Sequence, residues 1–320
     1  MRFSRFGVIV LLSLTVLIGT NCTYYGRVMA RKDLVDGSKA YKDRKFPEAQ
    51  NLFRSAVARD PNGEFVEGQT AQLFLARTLH SEYIGNRSNL ALAEEAISEY
   101  QKALTINQND QSSYKAIASL LENLQRPDEW LEWVTKRSNN TSIPPEQRAE
   151  ALISLAAKKN SCSNDLTDTE QTKKTVTKEG KQAFQFVKPT NPQDYTTLVS
   201  CVNDGNALID QALSLETPQV KNAASFDIKG STDQHLREMQ ELLRVFESAR
   251  SYKASLLVQQ MRVAEMEGNE AERDRLKNAA DAARESFLSL SEIVKKIQAE
   301  VDMRTSNKPA EAPGGAPAGQ

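Results

Sequence analysis

Residues 37–61 read GSKAYKDRKFPEAQNLFRSAVARDP, and the second half of this stretch decides the fold. Ala49, Leu52, Phe53, Ala56 and Val57 stand at i, i+3, i+4, i+7 and i+8, one apolar stripe along a helix with the charged residues on its other side. The pattern stops before Pro61, which cannot continue a helix. Residues 94–109, EEAISEYQKALTINQN, repeat the arrangement: Ala96, Ile97, Tyr100, Ala103 and Leu104 have nearly the same spacing. Two variants of one helix in one chain indicate a repeat architecture, in which each unit buries its stripe against its neighbours.

On these residues the chain resembles the tetratricopeptide repeat (TPR) family, whose helix-turn-helix unit is about 34 residues long. In the first repeat Gly37, Ala49, Phe53, Ala56 and Pro61 fall on the family spacing, with Phe46 on the aromatic position of the turn. The front of that repeat's first helix, around Asp33 and Asp36, departs from it. In the second repeat Ala96, Tyr100 and Ala103 match. The preceding helix, around Leu75, Ala76 and Leu79, is displaced by the extra stretch YIGNRSNL (83–90), and Gln108 replaces the terminal proline. A third unit opens at Tyr114, Ile117, Ala118 and Leu121, but Trp130 stands where the family has a small residue. Its second helix, DEWLEWVTKR (128–137), is expected to pack at a wider distance, with Trp130 and Trp133 in the core.

The resemblance implies a groove lined by the first helix of each pair, able to hold a peptide or a partner helix. Projected onto this chain, the groove positions are Leu34, Ser38 and Tyr41, then Arg77 and His80, then Lys115, Ser119, Glu122 and Asn123. Chaperone-binding members use a Lys and Asn clamp for a terminal carboxylate; Leu34 and Ser38 occupy two of those positions here, so that specialised role is not implied.

Beyond residue 142 the likeness is by order and length. Pro144 and Pro145 open a helix through EQRAEALISLAAKK (146–159). In TKKTVTKEGKQAFQFVKPTNPQD (172–194), Val176 and Thr177 face Ala183, Phe184, Phe186 and Val187 across a glycine-containing turn, which predicts a short hairpin. Asn191 as cap and Pro192 at the first turn restart a helix through Leu198, Val202, Leu208, Ile209 and Leu213, with Gly205 as its expected weak point. Ser231 and Gln234 fit a capping box ahead of a long helix from Thr232 to about Glu267. EGNEAE (267–272) turns the chain back, with Asn269 as the next cap. Leu276, Ala280, Ala283, Phe287, Leu290, Val294, Ile297 and Val301 then form a heptad seam, facing either the preceding helix or a second copy of the chain.

The expected fold class is therefore all-α, a TPR-like helical-repeat solenoid of about five helix pairs, with one small β-hairpin insertion and a long C-terminal helical hairpin. The expected layout is a signal or lipid-attachment segment at 1–22, a short linker at 23–30 and three repeats at 31–142. A fourth helix pair at 143–216 carries the hairpin insertion at 163–190, a connection covers 217–231 and the helical hairpin 232–303. The Pro, Ala and Gly tail at 304–320 has too little to bury to offset its ordering entropy.

The chemistry of catalysis is thin. Histidine occurs only as His80 and His235, neither in a metal-ligand spacing, and no nucleophile, phosphate-loop or zinc motif is present. Acidic and basic residues alternate at helical spacing in NEAERDRLKNAADAARE (269–285), the pattern of a solvated face. Charge is balanced at 41 basic against 42 acidic residues, which gives no electrostatic case for nucleic acid. No catalytic residue, metal or cofactor is expected.

MRFSRFGVIVLLSLTVLIG opens with Arg2 and Arg5 ahead of an apolar stretch from Phe6 to Ile18, the form of an export signal and shorter than the roughly 20 residues of a spanning helix. Export favours disulfides. Cys162 and Cys201 bracket the predicted hairpin, and joining them would close a loop of about 40 residues, worth roughly 4 kcal/mol in the chain-entropy model; two buried thiols are the alternative. Cys22 then has no internal partner, and its setting resembles the lipobox of bacterial lipoproteins, which implies lipid attachment there. Asn21 and Gly19 depart from that pattern, and cleavage after Ala30 or an uncleaved anchor are the alternatives. Thr23, rather than Asp, after the cysteine implies the outer membrane, facing the periplasm. The expected function is a non-enzymatic protein-binding scaffold of the bacterial envelope, lipid-anchored at Cys22, with a protein or peptide in its groove. The second reading is a soluble periplasmic structural subunit that oligomerises through its C-terminal helical hairpin.

Overall fold

The computed structural model describes the backbone of residues 5–178 and 180–306, with side chains from residue 24 onward except Lys178. The side chain of Cys22 and the tail from 307 lie outside the described residues. The chain divides into two compact units between Trp130 and Leu131.

The N-terminal unit contains α1 (Arg5–Lys42), α2 (Phe46–Arg59), α3 (Val66–Gly85), α4 (Leu90–Ile106) and α5 (Gln111–Asn123). Successive helices pack on one another and α1 also meets α3, the arrangement of TPR-like repeats. The stripe that marks α2 in the sequence is its buried side: Ala49, Phe53 and Ala56 are fully covered. Gly37 explains how α1 approaches so closely, because a Cβ there would stand 2.8 Å from the Phe53 ring. Among the described side chains of α1, the first buried is Ala30, followed by Asp33 and Ala40. The stretch 23–30, expected as a linker, is thus the helical approach to the first repeat. The departure from the family pattern at Asp33 also has a cause, since its carboxylate accepts Ser55 Oγ at 2.8 Å and Arg59 Nε at 3.1 Å from α2.

Helix α6 (Pro127–Asn139) carries the division between the units. Trp130 is buried and Trp133 half-buried, in line with a packing role. The C-terminal unit continues with α7 (Pro145–Thr167), β1 (Lys173–Lys178), β2 (Lys181–Phe186) and α8 (Pro192–Ser214). The short α9 (Pro218–Lys221), α10 (Asp233–Met266) and α11 (Glu270–Ser306) complete it. Its main core joins Leu152 and Ala156 of α7, Ile209 of α8, Leu236, Leu243 and Phe246 of α10, and Leu290 and Ile297 of α11. The heptad seam of α11 faces α10 of the same chain.

Several details differ from expectation. The capping box fails by one position: Thr232 is the cap, accepting His235 N at 3.2 Å, while Ser231 Oγ donates to the Asp227 carbonyl and Gln234 to Glu238. Gly205 is a contact point and not a weak one. A Cβ there would lie 2.7 Å from Leu256 Cδ2 and 3.2 Å from Lys159 Cβ, so glycine lets α8 lie against α10 and α7 together. Helix α7 runs to Thr167, which shortens the insertion. Helix α11 passes the expected end at 303 because Arg304 ties its last turn down, donating to the carbonyls of Ser231 at 2.7 Å and Lys229 at 2.9 Å and pairing with Glu300. The reversal between α10 and α11 is as expected. Gly268, at φ 73°, closes α10 with Asn269 N donating to the Ala264 carbonyl, and Asn269 Oδ1 accepts Glu272 N at 3.1 Å.

The predicted hairpin is present, antiparallel, with Lys178 opposite Lys181 and Thr175 opposite Phe184. The Cys162–Cys201 disulfide joins α7 to α8 on either side of it, with Cα atoms 6.2 Å apart.

Candidate functional site

The groove residues projected from the sequence lie on three helices of the N-terminal unit. Tyr41, in the last turn of α1, packs edge-on against Phe74 of α3, with ring centroids 6.0 Å apart, and against Phe46 at 5.9 Å. Its hydroxyl lies 3.0 Å from Ser81 Oγ, also on α3. Phe74 rests on the buried Phe53 at 5.6 Å and carries the Arg77 guanidinium 5.5 Å from its centroid. Arg77 Nη2 in turn donates to Ser112 Oγ at 3.2 Å, at the start of α5. A line of aromatic faces and one guanidinium thus crosses α1, α3 and α5.

His80 follows one turn along α3 from Arg77. Its ring meets Tyr100 of α4 edge-on at 5.9 Å, with Nδ1 3.3 Å from the Tyr100 hydroxyl. Lys115, Ser119, Glu122 and Asn123 occupy one exposed side of α5, and Asn123 Oδ1 accepts Arg87 Nη1 at 3.3 Å. Ser38 Oγ turns back to the Leu34 carbonyl at 2.7 Å on its own helix. Tyr41, Arg77 and His80 are therefore brought into one neighbourhood, with the four α5 residues following on the adjacent first helix.

Two contributors escaped the sequence reading. Phe74 stands three residues before Arg77, on the same side of α3, and that spacing was the available signal. Tyr100 belongs to the core stripe of α4 and is buried, yet its hydroxyl is the partner of His80.

Burial holds the His80 imidazole below its ordinary range, and the Arg87 charge acts in the same direction. Burial likewise pushes the Tyr100 phenol up, so it stays a neutral hydroxyl. The consequence for stability has a definite sign. Unfolded histidine takes up a proton near pH 6.5 that the folded site disfavours, so stability is complete above about pH 6.5 and declines as the pH falls below it. His80→Asn should flatten the decline between about pH 6.5 and 5 in urea-unfolding midpoints; an unaltered slope would mean that the imidazole titrates as it does in water.

In the C-terminal unit a cavity of about 250 Å³ is lined by Leu213, Glu216, Arg250, Lys253, Ala283 and Ser286. Its cations are already matched. Arg250 donates twice to Glu216, at 2.9 and 3.1 Å, and Lys253 pairs with Asp210 at 2.8 Å. Among the described residues no group of three or more His, Cys, Asp or Glu could hold a metal ion, and no helix is long and apolar enough to cross a membrane.

No protein-family model matches the chain, and no curated protein matches it. Among solved structures, one from the functional characterization of Pseudomonas aeruginosa PilF aligns over 86 % of this chain and 99 % of its own, at 16 % identity and a TM-score of 0.32. A likeness at that level carries no inference about function. The fold and the face just described define a class of their own accord, a TPR-like helical-repeat protein with an aromatic and cationic strip across its first helices.

Proposed function

We propose that the protein is a non-enzymatic scaffold, exported and held at the bacterial envelope membrane through a lipid on Cys22, that binds an extended segment of a partner protein across α1, α3 and α5. The observation that carries this reading is the strip Tyr41, Phe74, Arg77 and His80. Aromatic faces stack on apolar side chains, and a guanidinium held over a ring still has donors to offer a carboxylate or a backbone carbonyl. The course of α1 sets how far a lipid at Cys22 would stand from the repeats. At 1.5 Å per residue, the eight residues from Cys22 to Ala30, the first buried position among the described side chains, span about 12 Å of helix. A lipid at Cys22 would therefore hold the repeats close to the headgroups, on the periplasmic side of the outer membrane.

The test is photo-crosslinking from Ser119 in intact envelopes, comparing the native chain with Arg77→Glu and Phe74→Ala. Either substitution should reduce the captured partner about tenfold, the equivalent of about 1.4 kcal/mol. Undiminished capture would place binding elsewhere. Cys22→Ala should move the chain from the membrane to the soluble fraction, and its retention in the membrane would remove the lipid from the proposal.

A further inference from the structure

The hairpin β1–β2 belongs to the C-terminal unit, whereas the strip belongs to the N-terminal unit, and packing alone does not account for the hairpin. A two-stranded hairpin is marginal by itself, and here only the base is secured. Phe186 packs with Leu198, Val202, Val263 and Met266, and the Arg262 guanidinium stands 4.4 Å over its ring. Val187 N donates to the Thr172 carbonyl at 2.9 Å, and Thr172 Oγ1 to that of Thr167 at 2.9 Å. The disulfide between α7 and α8 ties together the helices that bear it.

Above the base the ribbon stands in solvent. Lys174, Thr175, Thr177, Lys181, Gln182 and Gln185 are exposed, and Phe184 is 58 % exposed with Lys173 Nζ over its ring, at 4.5 Å. Each strand has a single partner among the described residues, so both outer edges carry unpaired backbone groups. The strands hold four lysines, at 173, 174, 178 and 181, and no carboxylate. Lys173 is matched by Asp168 at 2.5 Å. Lys174 Nζ donates to the Glu170 carbonyl at 2.8 Å, and among the described residues it pairs with no carboxylate.

Charge and alternation together select an occupant. By register, Lys181 of β2 shares one face of the ribbon with Lys174 and Lys178 of β1, and a face that holds three lysines repels a second copy of itself and attracts carboxylates. Residues alternate between the two faces of a strand, so Lys181 and Phe184, three apart on β2, present a cationic position on one face and an apolar one on the other. A strand that alternates acidic and apolar residues matches both faces at once. We propose that β2 is a docking edge for an extended acidic segment of a partner protein, which adds as a third strand with its carboxylates toward Lys181 and its apolar residues against Phe184.

The experiment uses the full chain and three probes: a short peptide alternating Glu and Val, the same peptide with Lys for Glu, and phosphatidylglycerol vesicles. The Glu and Val peptide should bind in the range of about 1–100 μM and slow amide exchange along β2, with the Lys version at least about tenfold weaker. Lys181→Glu and Phe184→Ser should each weaken binding about tenfold with the helical circular dichroism unchanged, because both side chains are exposed. Failure of the acidic peptide to bind, equal binding of both peptides, or binding that ignores both substitutions would overturn the proposal. So would Lys181-dependent binding of vesicles with no response to peptide, which would make the surface a lipid contact.

Discussion

Phe53→Ala is expected to lower the stability of the N-terminal unit by about 3–5 kcal/mol, the largest effect of any single truncation there. The ring is completely buried, lies against the bare backbone at Gly37 on one side and supports Phe74 on the other. Collapse around the void is hindered because Gly37 has no side chain to move into it. The loss should appear as a lower urea midpoint and as faster exchange in α1, α2 and α3. A loss below about 1 kcal/mol would show that the helices close over the gap. Adding Gly37→Val to the Phe53→Ala chain should recover part of the loss by filling the same space, whereas in the native chain that valine would collide with the ring. Because Phe74 rests on Phe53, the truncation should also loosen the seat of Tyr41 and Arg77, so partner capture should fall along with stability.

The stripe that contains Phe53 is the part of the fold most legible in the sequence, because a helix that buries one side must space its apolar residues by threes and fours. The same rule located α4 and α11, a capping signal ahead of Thr232 located α10, and the β-branched and aromatic run around KEGK located the hairpin. What escaped depends on contacts between residues distant in sequence. Gly205 is indistinguishable, in a list of residues, from a helix-weakening glycine; only Leu256 and Lys159 beside it show that small size is what the position needs. Asp33 breaks the family pattern until Ser55 and Arg59 are seen around it. The cap of α10 moved by one residue because Ser231 and Thr232 are both competent, and the Asp227 carbonyl claims the serine hydroxyl. The candidate site was half legible. The family spacing brought Tyr41, Arg77 and His80 together, while Phe74 beneath Arg77 and the Tyr100 hydroxyl beside His80 are consequences of how α3 meets α1 and α4.

Opening the Cys162–Cys201 disulfide should cost the C-terminal unit about 4 kcal/mol, from the chain entropy restored to a loop of about 40 residues. The effect should concentrate on the junction of α7, α8 and the hairpin, because other contacts hold α7 to α10 independently. Ser255 Oγ donates to Asn160 Oδ1 at 2.9 Å, Gln259 donates to Asn164, and Thr167 Oγ1 donates to Gln259 Oε1 at 3.0 Å. Asn160, Thr167 and Gln259 are buried in this seam, so the loss of a partner would leave their polar groups unsatisfied. With the disulfide open, α7 and α10 should stay registered while β1, β2 and the first turns of α8 exchange amide hydrogens faster. The Cys162→Ala, Cys201→Ala chain should match the native chain in reductant, and reductant should do nothing further to it. If the native chain unfolds identically with and without reductant, the two cysteines act as thiols and the hairpin is held by Phe186, Arg262 and the Thr172 hydrogen bonds without them.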